Sequence, residues 1–235
     1  MQIKIDLKIF AIILIFLVTQ NIGIYAILMF YALIHELGHL LCGVCLGFKP
    51  KSISIIPYGF NLGFKINYKD YNKKIKKGNL LSLKKIAIAL AGPFTNIICI
   101  IIIFFLKDEF TLVQYQNAIY ANILLILFNL IPIYPLDGGR MLQEILHITI
   151  GLRESYSVTK TITNVNTIIL TAVSSVLILY YKNIAIFFVI IYLWTLVYKC
   201  NQEYKIKENL YKKVEELDKR YVKEKLEFTV VRNKL

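Results

Sequence analysis

Charged residues and cysteines are scarce in this 235-residue sequence. Only 18% of the residues are charged whereas 57% are hydrophobic, and the mean hydropathy is +0.59. Several apolar stretches approach the length of a membrane-spanning helix, so the composition excludes a soluble domain of ordinary size and predicts a polytopic membrane protein. The four cysteines lie within or at the edge of apolar segments, which argues against a disulfide framework.

Acidic residues are also few, because 15 Asp and Glu stand against 28 Lys and Arg and leave a net charge of +13. Such an excess suits nucleic-acid binding, but its distribution argues otherwise. With the spans assigned below, all basic residues except Lys107 and Lys182 fall on one side of the membrane. This bias places both termini and the Lys49–Lys85 loop in the cytoplasm, so we expect contact with the lipid bilayer and no nucleic-acid partner.

No small-residue cleavage site follows the first apolar run, so this run is predicted to be a membrane span and not a signal peptide. The later apolar runs predict five more spans. The expected fold class is therefore an all-α polytopic membrane protein. Its six spans are expected at about Ile5–Gln20, Ile24–Phe48, Ile86–Leu106, Ala118–Ile133, Thr161–Tyr181 and Ile184–Tyr198.

The segment between the second and third spans is too polar to cross a membrane. Ile53–Ile56 favours a strand, turn residues follow, and Phe64–Tyr68 alternates apolar and polar side chains. We therefore predict a small membrane-associated β-hairpin over Ile53–Tyr68, followed by a solvated stretch rich in lysine. A plain amphipathic loop is the alternative.

Two further segments are polar enough to lie outside the membrane. Met141–Lys160 is predicted to form an amphipathic interfacial helix after the fourth span. Interleaved Lys and Glu from Asn201 onward predict a solvated helix, and Phe228–Val231 is predicted to be a short strand.

Histidine is scarce as well, and two of the three histidines lie together in an apolar stretch. His35 and His39 are one helical turn apart, so both imidazoles can bind one cation while Glu36 reaches its open side. This is the His-Glu-x-x-His pattern of zinc hydrolases. Ionisable groups at bilayer depth are costly unless they pair or bind metal, so we interpret the trio as a zinc site with Glu36 as general base. A purely structural trio is the alternative.

The second informative stretch ends the fourth predicted span. Pro132 and Pro135 break the helix, so Asp137-Gly138-Gly139 is expected to be irregular backbone near membrane depth. Catalytic zinc usually has three protein ligands and a water, and no third histidine is well placed. Asp137 is therefore the candidate third ligand. A helix-ending turn with a solvated aspartate is the alternative.

Three weaker signals in the sequence favour packing or interface roles over chemistry. Ala91-Gly92-Pro93 near the start of the third span is typical of a packing kink, and Asn96 adds a polar group about one turn further on. Cys42 lies on nearly the same helix face as the two histidines, but a buried thiol in an apolar helix usually packs. For His147, a loop or interface role is favoured over metal binding.

Together these motifs resemble a known family. The motifs are His35-Glu36-Leu-Gly-His39, then Ala91-Gly92-Pro93-x-x-Asn96, then the stretch Asn129–Arg140 with its two prolines and Asp-Gly-Gly. In this order they are similar to the site-2 protease family of intramembrane zinc metalloproteases, and most closely to its sporulation branch. The resemblance covers about Phe30–Arg140.

The resemblance implies a set of site residues. His35, His39 and Asp137 would bind Zn²⁺. Glu36 would be the general base, and Asn129 would be a catalytic residue in the active-site region. Six spans with the metal nearer the cytoplasmic side are implied, which agrees with the charge distribution.

The resemblance also implies a substrate and a location. The substrate would be a membrane-associated protein cut near the cytoplasmic face, the pro-form of a sporulation sigma factor, on the mother-cell side of the forespore membrane of a bacterium. Membrane-embedded inhibitor proteins are expected as further partners. Members of the branch often carry a C-terminal nucleotide-sensing CBS domain. Here residues 1–200 are expected to form the six-span protease domain, and 201–235 a short cytoplasmic tail without a complete CBS domain.

A helical substrate shields its peptide bonds and must be extended locally before cleavage. The predicted hairpin can hold such a segment by β-addition, with Phe64 and Ile66 as candidate substrate contacts and Pro135 as a third. A non-catalytic membrane scaffold and a metal or solute transporter are the rival functions. The absence of an internal repeat and of paired broken helices disfavours the transporter, and ion passage does not need Glu36.

Overall fold

The computed structural model describes residues 2–5, 22–56, 59–65, 75–181 and 185–232. Helices dominate these residues, and a small sheet accompanies them. In chain order the elements are strand β1 (Gln2–Ile5), helix α1 (Ile22–Cys45), strands β2 (Lys49–Ile56) and β3 (Gly59–Lys65), helix α2 (Ile75–Phe105), a 3-10 turn (Lys107–Glu109), and helices α3 (Leu112–Leu130), α4 (Asp137–Ile150), α5 (Leu152–Tyr181) and α6 (Ala185–Arg232).

Three of the helices are long and apolar enough to cross a membrane. They are α1, the segment Leu80–Phe105 of α2, and the segment Leu152–Tyr180 of α5. These helices match the second, third and fifth predicted spans and support a membrane protein. Most of the first predicted span lies outside the described residues. The other two predicted spans correspond to α3 and the start of α6, so the six-span topology stays a prediction.

Helices α1, α2 and α3 pack against one another. Their shared core contains Tyr31 of α1, Ile103 of α2, and Ala118 and Ala121 of α3. Small residues allow the close approach, because a Cβ at Gly38 would collide with the side chain of Thr95 on α2. The resulting bundle holds the His-Glu-x-x-His segment of α1 against α2.

The predicted hairpin is confirmed as an antiparallel pair of β2 and β3, which starts at Lys49, earlier in the chain than expected. The last three residues predicted for it, 66–68, lie outside the described residues. The pairing is irregular between Pro50 and Ser52, where proline has no N–H to donate. Strand β1 pairs in parallel with the other side of β2, so the sheet order is β1-β2-β3. Strand β1 was not expected from the sequence, because Gln2–Ile5 is short and adjoins an apolar run.

The prediction of irregular backbone at Asp137-Gly138-Gly139 was wrong, since these residues form the first turn of α4. The non-helical segment is instead 131–136, between α3 and α4. A Cβ at Gly138 would collide with the carbonyl of Leu130, and one at Gly139 with the backbone of Tyr134. The glycines therefore let α4 begin directly against the broken segment, and an aspartate is favourable in a first helical turn.

Two other predictions need correction. Met141–Lys160 is not one helix, because Gly151, at φ +89°, separates α4 from α5. Phe228–Val231 is not a strand, because α6 runs without interruption to Arg232. Lys and Glu at helical spacing precede this segment, as in the 3.0 Å pair of Glu208 and Lys212, and they favour a helix that continues into it.

Candidate metal centre

Three side chains from two distant parts of the chain converge in the interior. His35 and His39 come from consecutive turns of α1, and Asp137 comes from the first turn of α4. Nε2 of His35 lies 3.2 Å from Nε2 of His39, and Oδ2 of Asp137 lies 3.0 Å and 3.2 Å from these two nitrogens. All three residues are at most 5% exposed. The three atoms form a nearly equilateral triangle.

The hydrogen bond made by the other nitrogen of His39 determines which nitrogen can bind a metal. Nδ1–H of His39 donates to the carbonyl oxygen of Ile88 on α2, at 2.6 Å. In a neutral imidazole the proton on Nδ1 leaves the lone pair on Nε2, which faces His35 and Asp137. Such a backbone partner orients a metal-binding histidine and makes the ligand more basic.

The dimensions of the triangle suit a zinc ion. Tetrahedral zinc with bonds of about 2.0–2.1 Å places its ligand atoms about 3.3 Å apart. The observed separations of 3.0–3.2 Å are close to this value. Within the described residues, His35, His39 and Asp137 form a group that could hold a metal ion. The two-histidine, one-carboxylate donor set is also one that catalytic zinc uses.

Gly92 on α2 leaves the space that a metal needs. A Cβ at this position would lie 2.5 Å from Nε2 of His35 and closer still to Nε2 of His39. The missing side chain therefore leaves both Nε2 atoms free of a contact that would push the two rings away. Residue 92 and the carbonyl of Ile88 are one helical turn apart, so the same part of α2 makes room for the metal and orients one of its ligands.

The second oxygen of Asp137 faces a positive charge. Nη1 of Arg140 lies 4.0 Å from Oδ1 of Asp137, and the Arg140 side chain is 41% exposed. Burial raises the pKa of the Asp137 carboxyl, but the hydrogen-bonding histidines and Arg140 outweigh burial and lower the pKa below its usual range. Asp137 is therefore an anion at neutral pH, as a metal ligand must be. Arg140 also interacts electrostatically with Glu36, which is half-buried next to the ligands.

Helix α5 supports the broken segment that leads to Asp137. The backbone N–H of Tyr134 donates to Oγ1 of Thr163 at 3.0 Å, and Nδ2 of Asn166 donates to the carbonyl of Pro132 at 3.2 Å. Ile133 is fully buried against side chains of α6. These contacts satisfy backbone groups that the break in the helix leaves free and hold the start of α4 in place.

The structure describes three of the other predicted site residues. Asn129 is half-buried at the end of α3, and Pro135 is half-buried in the broken segment. The ring of Phe64 packs against α1, where a Cβ at Gly43 would overlap it, and lies 6.1 Å from the ring of Phe48. Ile66 lies outside the described residues.

The two weaker metal candidates lie outside the ligand group found among the described residues. Cys42 is a free thiol that does not belong to the group. Nδ1 of His147 is 3.0 Å from Oγ of Ser82, beside an ion pair of 2.7 Å between Lys85 and Glu144. These contacts join α4 to α2, which agrees with an interface role for His147.

Comparison with known proteins agrees with this geometry. The model of peptidase family M50 matches residues 23–115 and 109–173. Over 128 residues, 54% of this chain, the sequence is 27% identical to stage IV sporulation protein FB of Bacillus subtilis. Over 164 residues, 66% of this chain, it is 29% identical to a zinc metalloprotease of Methanocaldococcus jannaschii. These alignments cover 41% and 44% of the relatives, so the chain spans less than half of their length.

A solved structure has the same fold. The site-2 protease from Methanocaldococcus jannaschii superposes with a TM-score of 0.61 at 23% sequence identity, over 84% of this chain and 89% of that one. The family match covers more than half of the sequence and includes both segments that form the candidate metal site. The chain therefore belongs to peptidase family M50.

Proposed function

We propose that this chain is a zinc-dependent intramembrane endopeptidase that cleaves a membrane-associated protein. The observation that carries the proposal is the buried triangle of His35, His39 and Asp137 beside Gly92, with Glu36 next to it on α1. The three ligands would hold Zn²⁺, which polarises a peptide carbonyl and makes a bound water more acidic.

Side chains and backbone groups of the chain supply the rest of the chemistry. Glu36 takes a proton from the attacking water and passes it to the amine that leaves when the peptide bond breaks. Its half-buried position next to the ligands suits this role. The Ile88 carbonyl keeps His39 in the tautomer that binds metal. A scaffold that held a metal only for structure would not need an acidic side chain at position 36, which favours the enzyme over the scaffold.

The sheet offers a way to hold an extended substrate. Among the described residues, the outer edge of β3 has no paired strand, because β2 pairs with its other edge. An unpaired edge can bind another strand through main-chain hydrogen bonds that depend little on sequence. Contact of the Phe64 ring with α1 ties β3 to the helix that carries two ligands. We propose that β3 places the substrate beside the metal and that Pro135 and Asn129 contact it there.

The orientation of the chain in the membrane is proposed from its charge distribution, and the substrate from the name of one relative. The basic residues support cytoplasmic termini, and the exposed Arg140 side chain supports a site that opens to water on that side. The relative from Bacillus subtilis is named as a sporulation protein. We therefore propose the pro-form of a sporulation sigma factor as the substrate, and membrane-embedded inhibitor proteins as further partners.

The first experiment measures zinc per chain in the detergent-purified protein. Wild type is expected to contain about one zinc, and His35→Ala and Asp137→Ala are expected to contain almost none. Glu36→Gln is expected to keep its zinc but lose cleavage of a tagged pro-sigma factor expressed with it. Absence of zinc from well-folded wild type would refute the metallopeptidase. Wild-type cleavage by Glu36→Gln would show that this glutamate is not the base.

The substrate is tested separately. Co-expression with a panel of tagged membrane-associated proteins, including pro-sigma factors, would be analysed for fragments that depend on Glu36. Fragments from other membrane proteins but none from any pro-sigma factor would leave the peptidase in place and refute the sporulation substrate.

A further inference from the structure

Two buried polar groups near the metal centre have no hydrogen-bond partner among the described residues. One is Nδ1 of His35, and the other is the side-chain amide of Asn96, whose oxygen and nitrogen are both unpartnered. Asn96 is 0% exposed. A buried polar group without a partner costs about 1–3 kcal/mol, and native structures rarely leave one unexplained. Each group therefore indicates an interaction that the protein groups alone do not provide.

Asn96 lies on the face of α2 that packs against α1. Gly92, Asn96, Cys99 and Ile103 follow one another at intervals of four, three and four residues, which places them on one stripe of the helix. Gly92, at one end of this stripe, is next to Nε2 of both histidine ligands. Cys99 and Ile103, further along, belong to the cluster that contains Tyr31 of α1.

These contacts place Asn96 beside His35. Helices α1 and α2 run in opposite directions, since later residues of α2 meet earlier residues of α1. Asn96 is between Gly92, which is level with the ligands, and Cys99, which is level with Tyr31. Since Thr95 packs at Gly38, Asn96 lies level with the segment of α1 between Tyr31 and Gly38, which includes His35.

The two histidine ligands differ in how they are held. His39 has a backbone partner for its second nitrogen, whereas the second nitrogen of His35 is buried without one. A metal-binding histidine almost always donates its other N–H to a carboxylate, a carbonyl or a water, and this partner fixes the orientation of the ring.

We propose that Asn96 is a positioning residue for His35: the Nδ1–H of His35 donates to one bound water, and this water donates to Oδ1 of Asn96. This inference rests on the proposed zinc site. An amide oxygen can accept a hydrogen bond from such a water, and buried waters typically connect polar groups that are otherwise unsatisfied. Asn96 then orients the ring of His35, as the Ile88 carbonyl orients the ring of His39. Loss of such a partner typically weakens metal binding about 10- to 100-fold.

The test uses three variants of the full chain in detergent. Asn96→Leu removes the acceptor at similar volume, and Asn96→Asp restores an acceptor of the same shape. Asn122→Leu makes the same substitution at another fully buried asparagine of the bundle, one that donates to the Ala118 carbonyl of its own helix. Zinc affinity is measured by competition with a chelator of known affinity.

A spectroscopic measurement separates positioning from general packing. The sequence has only three histidines, so ¹⁵N-histidine labelling gives a small set of signals, and His147→Gln assigns one of them. In the zinc-bound wild type, the proton on Nδ1 of His35 is expected to show the shift of a hydrogen-bonded group. Asn96→Leu is expected to lose this shift while the His39 signals stay unchanged.

The expected result is zinc binding that is about 10- to 100-fold weaker in Asn96→Leu and unchanged in Asn96→Asp and Asn122→Leu. Wild-type affinity in Asn96→Leu would overturn the inference but leave the zinc site intact. Equal losses in Asn96→Leu and Asn122→Leu, or an unchanged His35 signal, would also overturn it. A wild-type chain that binds no zinc would overturn both the proposed function and this inference.

Discussion

Replacing Gly92 with alanine is expected to abolish zinc binding while the helix bundle stays folded. The added carbon would lie 2.5 Å from Nε2 of His35 and closer to Nε2 of His39. An added carbon less than 3.0 Å from both nitrogens forces the imidazole rings to move. Zinc binds imidazole nitrogen at about 2.0–2.1 Å, so the ion cannot keep both bonds once the rings have moved.

The fold can tolerate this change better than the metal site can. The atoms that the methyl group meets belong to imidazole rings, which can rotate away, and rotation opens the ligand triangle. Alanine in a helix interior is also more favourable than glycine by about 0.5–1 kcal/mol, so α2 itself is not weakened. We therefore expect zinc content to fall from about one per chain to less than about a tenth, with a helical spectrum like that of wild type.

Gly23→Ala is the matched control, because a Cβ at Gly23 on α1 would meet nothing within 4 Å. It is expected to keep its zinc. The assays are metal analysis of the purified protein and thermal unfolding of the metal-free forms. Full zinc occupancy in Gly92→Ala would show that the two imidazoles do not converge beside α2, and the proposed geometry of the metal centre would be wrong.

Three further predictions concern the support of the site. Gly43→Ala places a methyl group where the ring of Phe64 lies, and it is expected to destabilise the packing of the hairpin on α1 by about 1–3 kcal/mol. Limited proteolysis of the hairpin should therefore increase. Adding Phe64→Leu should partly reverse this increase. Lys85→Met leaves Glu144, whose side chain is 13% exposed, without its 2.7 Å partner, so a loss of about 1–3 kcal/mol in thermal unfolding is expected, smaller when Glu144→Gln is added. Equal losses in the single and double variants would contradict this coupling. Thr163→Val removes the acceptor for a backbone N–H of the broken segment and is expected to cost about 1–3 kcal/mol and to weaken zinc binding, whereas unchanged zinc affinity would show that this contact does not position Asp137.

The part of the metal centre that the sequence could predict is local. His35 and His39 converge because a helix brings residues four apart to one face, and this follows from spacing alone. The hairpin was similarly predictable, because a β-rich run, turn residues and an alternating run follow one another in Ile53–Tyr68. The start of α4 was predicted wrongly. Two successive glycines after prolines are typical of irregular backbone, and the sequence does not show that Gly138 and Gly139 pack closely against the backbone of the preceding segment.

The contacts that complete the site lie between segments distant in the chain. The Ile88 carbonyl is an ordinary helical backbone group, and nothing in the residue type indicates that an imidazole from α1 donates to it. Gly92 could be recognised as a close-packing residue, but what it approaches depends on how α1 and α2 align. That alignment follows from contacts spread along the bundle, from Gly38 against Thr95 to Tyr31 with Ile103. That the Asn96 amide has no hydrogen-bond partner among the described residues also follows only from the packed helices. The sequence shows a polar residue in an apolar helix, but it does not show which groups of the neighbouring helix lie beside it. The ligands can thus be predicted from spacing and motif, whereas the groups that orient them depend on the packing of helix against helix.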